Sequence, residues 1–394
     1  VKVLPLTIVL RSPLCLSERR AGGQFGVSLD FLPGRVLRAA LAHNMLDRGE
    51  ENSPLFRSLF LQPGGAFFED ATPGLGRTPS TALSCKTEAG FRPERHGVLD
   101  TLLPRLAWHL TRPPGVVPRF RCHQCGLPLE PFSKLYRKGA RGLTQVSLGY
   151  RLLTRVALNR RRYAAEEGML YSPMVLEELE LPAQPGAPRE AVLMQGRVLV
   201  REDLAEELRR QLQTVEWVGS GTGRGLGHVT VEVGAPCDHQ DNRLETRVAS
   251  FNTQLREAVE ALARLGGRPP DGLGTGRFFS LTLSSDALLS GPARTPPLQA
   301  MADAVAGYLK AEPVWASASQ VPVGGWCTAW GLPRPLEVAV RAGSVFVFKT
   351  DSTEDPNPAL QRLQSLGVGW RREDGFGAVR VCAEFHVDTR GEWQ

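Results

Sequence analysis

Apolar and polar positions along the chain fall into short runs whose period switches repeatedly between two and about 3.6 residues. "KVLPLTIVL" is almost wholly aliphatic or β-branched and predicts a strand. "LPGRVLRAALAHNML" lines Val36, Leu37, Ala40, Leu41 and Met45 along one side of a helix, with Pro33 at the start, where proline is tolerated. A long Pro/Gly-rich stretch from about residue 53 to 134 follows. "QVSLGYRLLTRVALN" and "REAVLMQGRVLV" predict further strands. "REDLAEELRRQLQ" predicts a helix, acidic at its start and basic at its end as the helix dipole favours. "HVTVEV" alternates with the period of a half-buried strand.

After a polar break at 234–242, "LETRVASFNTQLREAVEALARLG" predicts a connecting helix. A second round then begins: strand "RFFSLTLSSDALL", helix "PLQAMADAVAGYLK", strands "VPVGGWCTAW" and "LEVAVRAGSVFVFK", helix "NPALQRLQSLG", and last strand "AVRVCAEFHV". Both rounds follow β-α-β-β-α-β, the ferredoxin-like order. Before the last strand of each stands a glycine element, "VGSGTGRGLGHVTV" at 218–231 and "VGWRREDGFGAVRV" at 368–381, which align without a gap at an offset of 150. The pattern predicts an α+β chain of two ferredoxin-like (RRM-like) domains in tandem: 1–233 with an insertion at about 53–134, a linker and connecting helix at 234–267, and 268–394.

Composition sharpens this picture. With 42% hydrophobic residues the 394-residue chain can fill buried cores, and no apolar run approaches the roughly 18 residues of a membrane span. The apolar start lacks a small-residue cleavage site and reads as a first strand, not a signal peptide. Seven scattered cysteines argue against a secreted disulfide framework and point to the cytoplasm. The net charge of +6 is local: residues 131–165 hold nine basic side chains and no acidic one, leaving the rest at −3. Local basic patches bind polyanions.

Four groups carry candidate chemistry. Glycines allow close backbone approach, and their N–H groups suit phosphate oxygens. Gly223, Arg224, Gly225 and Gly227 of the first element, and Arg371, Arg372, Gly375 and Gly377 of the second, are therefore candidate RNA contacts. Neither element is a P-loop or a Rossmann loop, because both lead into a strand. In the basic stretch, Arg151, Arg155, Arg160, Arg161 and Arg162 can neutralise phosphates, with Asn159 beside them, and Tyr163 can stack on an unpaired base. Arg35 and Arg38 flank the start of the first helix, where phosphates bind. Finally, Cys122-x2-Cys125-Gly126 has the form of a zinc knuckle. Cys85 and His96 lie in the same insertion and complete a structural Zn2+ set, with His109 and His123 as competitors.

"FLPGRVLRAALAH", "SCK…HGVLD…CHQC", "VALNRRRYAAEEGMLYS" and "VGSGTGRGLGHVTV", in this order, resemble the RAMP proteins of type III CRISPR effector complexes. The likeness is greatest to the subtype III-D subunit called Csx-ten. Arg35 and Ala39 stand where the family's first helix carries Ser and Gly, while Arg38 matches. The resemblance implies two RRM-like domains with glycine loops facing RNA. It further implies a non-catalytic subunit gripping the 5′ repeat-derived tag of CRISPR RNA beside a large Cas-ten-type subunit and backbone Cas-seven-type subunits, with no membrane. The competing class is a metal-independent endoribonuclease that matures the guide RNA, for which His43 and His228 are the candidate acid–base groups. A protein-only interaction module would bind no RNA.

Overall fold

The computed structural model describes residues 1–16, 25–139, 142–182, 186–269, 277–289, 295–327, 331–350 and 355–389. The aliphatic start forms β1 (Lys2–Leu10), followed by α1 (Gly34–Asp47), which buries Gly34, Leu37, Leu41 and Met45, and β2 (Ala66–Phe68). A long insertion then supplies β3 (Ala82–Cys85), β4 (Val98–Asp100), α2 (Leu102–Thr111) and β5 (Leu129–Pro131). It continues with β6 (Leu148–Leu152), β7 (Arg155–Asn159) and the 17-residue β8 (Ala164–Glu180). The chain returns through β9 (Leu193–Val200), α3 (Ala205–Leu212) and β10 (Val229–Val233). The first sheet runs β10-β1-β9-β2, every neighbour antiparallel. Leu37 and Leu41 of α1 and Leu208 and Leu212 of α3 pack with Leu4, Ile8, Phe68 and Val198 in one core.

The connecting helix α4 (Leu244–Ala263) leads into β11 (Arg277–Leu283), α5 (Pro297–Val305) and β12 (Glu312–Ser317). After them come β13 (Val345–Thr350), α6 (Asn357–Leu366), β14 (Val379–Val381) and α7 (Phe385–Asp388). The second sheet runs β12-β13-β11-β14, again antiparallel throughout. Its core gathers Phe251, Leu255, Phe279, Leu281, Phe346 and Phe348, and also Leu102, Leu103, Leu106 and Ala107 from α2. The insertion thus lends a helix to the core of the second sheet. Each such fully buried leucine contributes about 1.5–3 kcal/mol.

The chain is α+β, and three sequence expectations need correction. The strand beside β9 is Ala66–Phe68, not "QVSLGYRLLTRVALN"; that segment breaks at Leu153–Thr154 into β6 and β7, which pair with β8 in a separate sheet. Thr72–Pro73 also pairs with β9, so the chain runs outside the first sheet over residues 74–192. Beside β13 stands Glu312–Ser317, while the described part of "VPVGGWCTAW", up to Cys327, forms small hairpins apart from the sheet, and "AVRVCAEFHV" ends its strand at Val381 and turns into α7. The described residues contain no helix long and apolar enough to cross a membrane.

Candidate nucleic-acid interface and metal centre

The duplicated glycine elements are one backbone device. In the first, Val218 N donates to Gly227 O at 2.9 Å, Gly227 N to Pro13 O at 2.8 Å and Ser220 N to Cys15 O at 3.0 Å. In the second, Val368 N donates to Gly377 O, Gly377 N to Asp286 O and Trp370 N to Leu288 O, each at 2.8 Å. Both loops carry a 3-10 turn, at Thr222–Arg224 and Arg372–Asp374. Gly227 and Gly377 are built for the neck: each has φ +78°, and a Cβ would lie 1.9 and 1.8 Å from the Val218 and Val368 carbonyl oxygens. Both are buried, so their role is to close the neck.

The two loops differ in what they face. At the first tip Gly223, Arg224 and Gly225 are exposed, and a Cβ on either glycine would meet no atom within 4 Å. The second loop is docked against β2 of the first sheet and the residues that follow it. A Cβ on Gly375 would lie 2.6 Å from Asp70 Oδ1 and 2.8 Å from Phe68 O. Arg371 pairs with Glu337 at 2.5 Å and Asp374 at 3.1 Å and lies over Phe376. Arg372 donates to Leu366 O at 2.9 Å and covers Phe67. The expected RNA-facing loop formed by Arg371, Arg372, Gly375 and Gly377 is thus engaged by protein, because Glu373 and Asp374 give it acids of its own and Gly375 lets it press on β2.

The start of α1 is filled from the same side. Asp70 Oδ1 accepts from Gly34 N at 2.8 Å, taking a helix N-terminal donor that a phosphate would need. Burial pushes that carboxyl up to about 8, against the Gly34 N–H and the Arg35 charge. Arg35 lies over Phe376 at 5.5 Å, and Arg38 contacts Asp374 at 3.3 Å, Leu59 O and the Phe60 ring. At the expected phosphate site, Arg35 and Arg38 are thus engaged by the second glycine loop and by the segment after α1.

The end of the basic stretch, from Arg155 on, forms the β7–β8 hairpin. At its tip the Asn159 carboxamide oxygen accepts from Arg161 N and Arg162 N, both at 3.1 Å, an Asx-type turn. Asn159 thus shapes the turn, and Arg160, Arg161, Arg162 and Tyr163 project from it, Tyr163 95% exposed at φ +52°. Not all of the patch lacks acids: Arg151 pairs with Glu178 at 3.6 Å and Arg137 pairs with Glu180, because β8 brings acids back alongside. Arg141 lies outside the described residues. Arg155 stands opposite Tyr171 in the hairpin register, and Arg224 of the first loop donates to the Tyr171 hydroxyl at 2.6 Å. That contact joins the open glycine tip to the basic hairpin. Sequence reasoning passed over Tyr171, although it closes the arginine-rich segment.

The insertion brings Cys85, His96, Cys122 and Cys125 together, with ligand atoms all within 4.8 Å of one another. Cys85 Sγ lies 3.5 Å from Cys125 Sγ, and Cys122 Sγ 3.4 Å from His96 Nδ1. Edges of a tetrahedral zinc–thiolate site measure about 3.8 Å, whereas a disulfide bond would be about 2 Å. The Thr87 hydroxyl and the Glu88 N–H hold the Cys85 thiol down at about 5, which favours the thiolate that metals bind. Gly126, at φ +68°, turns the chain so that its N–H donates to Cys122 O at 2.8 Å. Three sulfurs and one imidazole fit a tetrahedral soft-metal site. His109 and His123 lie outside the cluster.

The two candidate catalytic histidines are placed apart. His43 pairs with Asp47 at 3.2 Å on the exposed flank of α1, and His228 stacks on Trp217 at the neck of the first loop.

No protein-family model matches the chain, and no curated protein matches it. Among solved structures, a chain in a cryo-EM structure of the type III-B Cmr-beta bound to cognate target RNA is similar at 10% identity and a TM-score of 0.40, over 96% of this chain and 99% of that one. A second, from type III-B Cmr-beta bound to cognate target RNA and AMPPnP, is 11% identical at a TM-score of 0.36, covering 87% and 86%. A third, from the apo state of type III-B Cmr-beta, is 11% identical at a TM-score of 0.31, covering 59% and 96%.

Proposed function

We propose that this chain is a non-catalytic RNA-binding subunit of a type III CRISPR effector complex, of the subtype III-D Csx-ten kind. In this reading two tandem ferredoxin-like RAMP domains grip the 5′ repeat-derived tag of CRISPR RNA, beside a large Cas-ten-type subunit and backbone Cas-seven-type subunits. The ordered sequence motifs support the family, and the 4-1-3-2 strand order of both sheets supports the domains. The observation that carries the RNA-binding reading is the Arg224–Tyr171 contact, which sets an unobstructed glycine tip against a hairpin bearing Arg155, Arg160, Arg161, Arg162 and Tyr163. Bare backbone N–H groups, guanidinium groups and an exposed aromatic ring are what a single-stranded ribonucleotide needs. Zn2+ is the metal that the Cys85, His96, Cys122 and Cys125 donors suit, as a closed structural site that holds the insertion together.

The test is a salt titration of the full chain with labelled single-stranded repeat RNA. Log affinity should fall with log salt at about −0.7 per neutralised phosphate, and replacing Arg160, Arg161 and Arg162 by alanine should flatten the slope by about two. Binding that is absent, or indifferent to salt, would refute the reading. Incubation with repeat RNA in EDTA separates it from the nuclease class: the RNA should stay intact, and specific cleavage lost in His43→Ala or His228→Ala would establish the enzyme instead.

A further inference from the structure

The neck of the first glycine loop carries an aromatic pair that its backbone role does not require. Trp217 bridges His228 across the neck, with ring centroids 4.8 Å apart and planes tilted by 30°. In β10 the valines at 229, 231 and 233 are buried, so Thr230 and Glu232 occupy the outer face, and His228 extends that row. Arg11 joins it: its backbone N donates to His228 O at 2.9 Å and its Nε to Thr230 Oγ1 at 2.9 Å. Trp217 is 42% exposed, and among the described residues its indole makes no other ring contact and its N–H has no hydrogen-bond partner. An indole backed on one face by an imidazole, beside an exposed guanidinium and one residue pair from an open glycine loop, has the makeup of a base-stacking shelf.

We propose that Trp217, backed by His228, holds an unpaired nucleobase of single-stranded RNA at the neck of the first loop, with Arg11 facing that nucleotide's phosphate. This rests on the RNA-binding reading and adds a site to it. Stacking is sequence-tolerant, because every base has a π-face, so the shelf positions the strand and leaves base identity to other contacts. Contact through a ring and contact through a charge leave different marks on salt dependence, which separates this site from the arginine hairpin.

The experiment measures binding of the full chain to a short fluorescein-labelled single-stranded RNA across a salt series, comparing Trp217→Ala, Trp217→Phe, and the variant with Arg160, Arg161 and Arg162 replaced by alanine. Trp217→Ala should weaken binding roughly ten-fold at every salt concentration with the slope unchanged, the scale of one stacked base. Trp217→Phe should recover most of the loss, and an abasic substitution at the stacked position should erase the difference between Trp217→Ala and the parent. Matching thermal melts exclude misfolding, and the phenylalanine variant keeps the test open if alanine disturbs the neck. If the arginine variant loses affinity while Trp217→Ala binds like the parent, the shelf is refuted and the RNA-binding reading stands. If neither variant changes binding, both fail. Unchanged RNA affinity with lost binding to a partner subunit would make Trp217 a protein contact and overturn the proposal.

Discussion

Replacing Gly227 by alanine would set a methyl group 1.9 Å from the Val218 carbonyl oxygen, on a residue held at φ +78°. The left-handed conformation costs an L-residue about 1–2 kcal/mol. The clash is with backbone, so relief requires parting the neck, which strains the bond from Val218 N to Gly227 O at 2.9 Å and that from Gly227 N to Pro13 O at 2.8 Å. At about 1 kcal/mol each, the total is about 3–4 kcal/mol, or a fall of about 10 °C in the melting of the part built on the first sheet. Gly225→Ala, with φ +79° and open space around it, should cost only the backbone term of about 1–2 kcal/mol. Gly223→Ala, which meets no atom within 4 Å, should leave stability unchanged. The assay is a thermal or urea melt of the three variants, with RNA affinity measured alongside. If RNA lies on the bare loop tip as proposed, Gly223→Ala is the informative variant, since it should lower affinity at constant stability. If Gly227→Ala melts with Gly223→Ala, the neck is not packed as described and the division of this loop into closing and contacting glycines fails.

Metal analysis of the purified chain should find about one equivalent of zinc, lost in Cys122→Ser together with heat resistance of the insertion; metal-free native protein would end that assignment. Although burial alone would raise it, hydrogen bonds from Arg247 and Gln364 and the charge of Arg380 hold the Asp241 carboxyl far below the usual range. A depressed native value stabilises the fold above the unfolded value near pH 4, and that stability drains away as pH falls through the native one. Urea midpoints between about pH 2 and 6 should therefore fall on acidification in the parent and respond less in Asp241→Asn; equal slopes would contradict the pairing. His386 joins Thr282 Oγ1 to Asp100 Oδ2, each at 2.8 Å, at 0% exposure, and so fastens the insertion to the second sheet. His386→Ala should cost about 3 kcal/mol from two lost buried bonds and a cavity, read by melting, and a neutral variant would remove that link.

Long periodic segments were legible in the sequence: α1, α4, β1 and β10 stand where their apolar spacing put them, whereas of the expected last strand only Val379–Val381 is extended and its end is the helix α7. The second strand of each sheet was not. Ala66–Phe68 is too short to show a period, and Glu312–Ser317 contains a proline that argues locally against a strand; each is held by its neighbour, β9 or β13. The metal cluster was readable from Cys122-x2-Cys125 plus two soft donors in one insertion, and the structure brings all four together. Pairing of Arg137 and Arg151 was illegible because the acids at 180 and 178 lie beyond the patch and return only through the length of β8. Trp217 had a weak signal, since it immediately precedes the glycine frame and faces His228 within it, but cross-strand stacking depends on a register that sequence alone leaves open.

The two copies of the glycine frame show why duplication of a backbone does not duplicate a site. Gly225, Gly227 and their counterparts at 375 and 377 preserve the turn, while positions 221–224 and 371–374 decide what it meets. The first copy reads Gly-Thr-Gly-Arg there and the second Arg-Arg-Glu-Asp. Two arginines with two acids neutralise one another, and Asp374 reaches Arg38 of α1, so the second tip adds no net charge to a buried seam and can be covered. A lone Arg224 among glycines has no acid of its own, and its bond to the neutral Tyr171 hydroxyl leaves the charge in place. Exchanging these four residues between the loops should therefore move the exposed cationic tip: the first loop with Arg-Arg-Glu-Asp should bind RNA more weakly at moderate salt, and the second with Gly-Thr-Gly-Arg should loosen the seam and lower the melting temperature. RNA affinity unchanged by the first exchange would show that the charge of that tip, and with it the open face of the loop, has no part in binding.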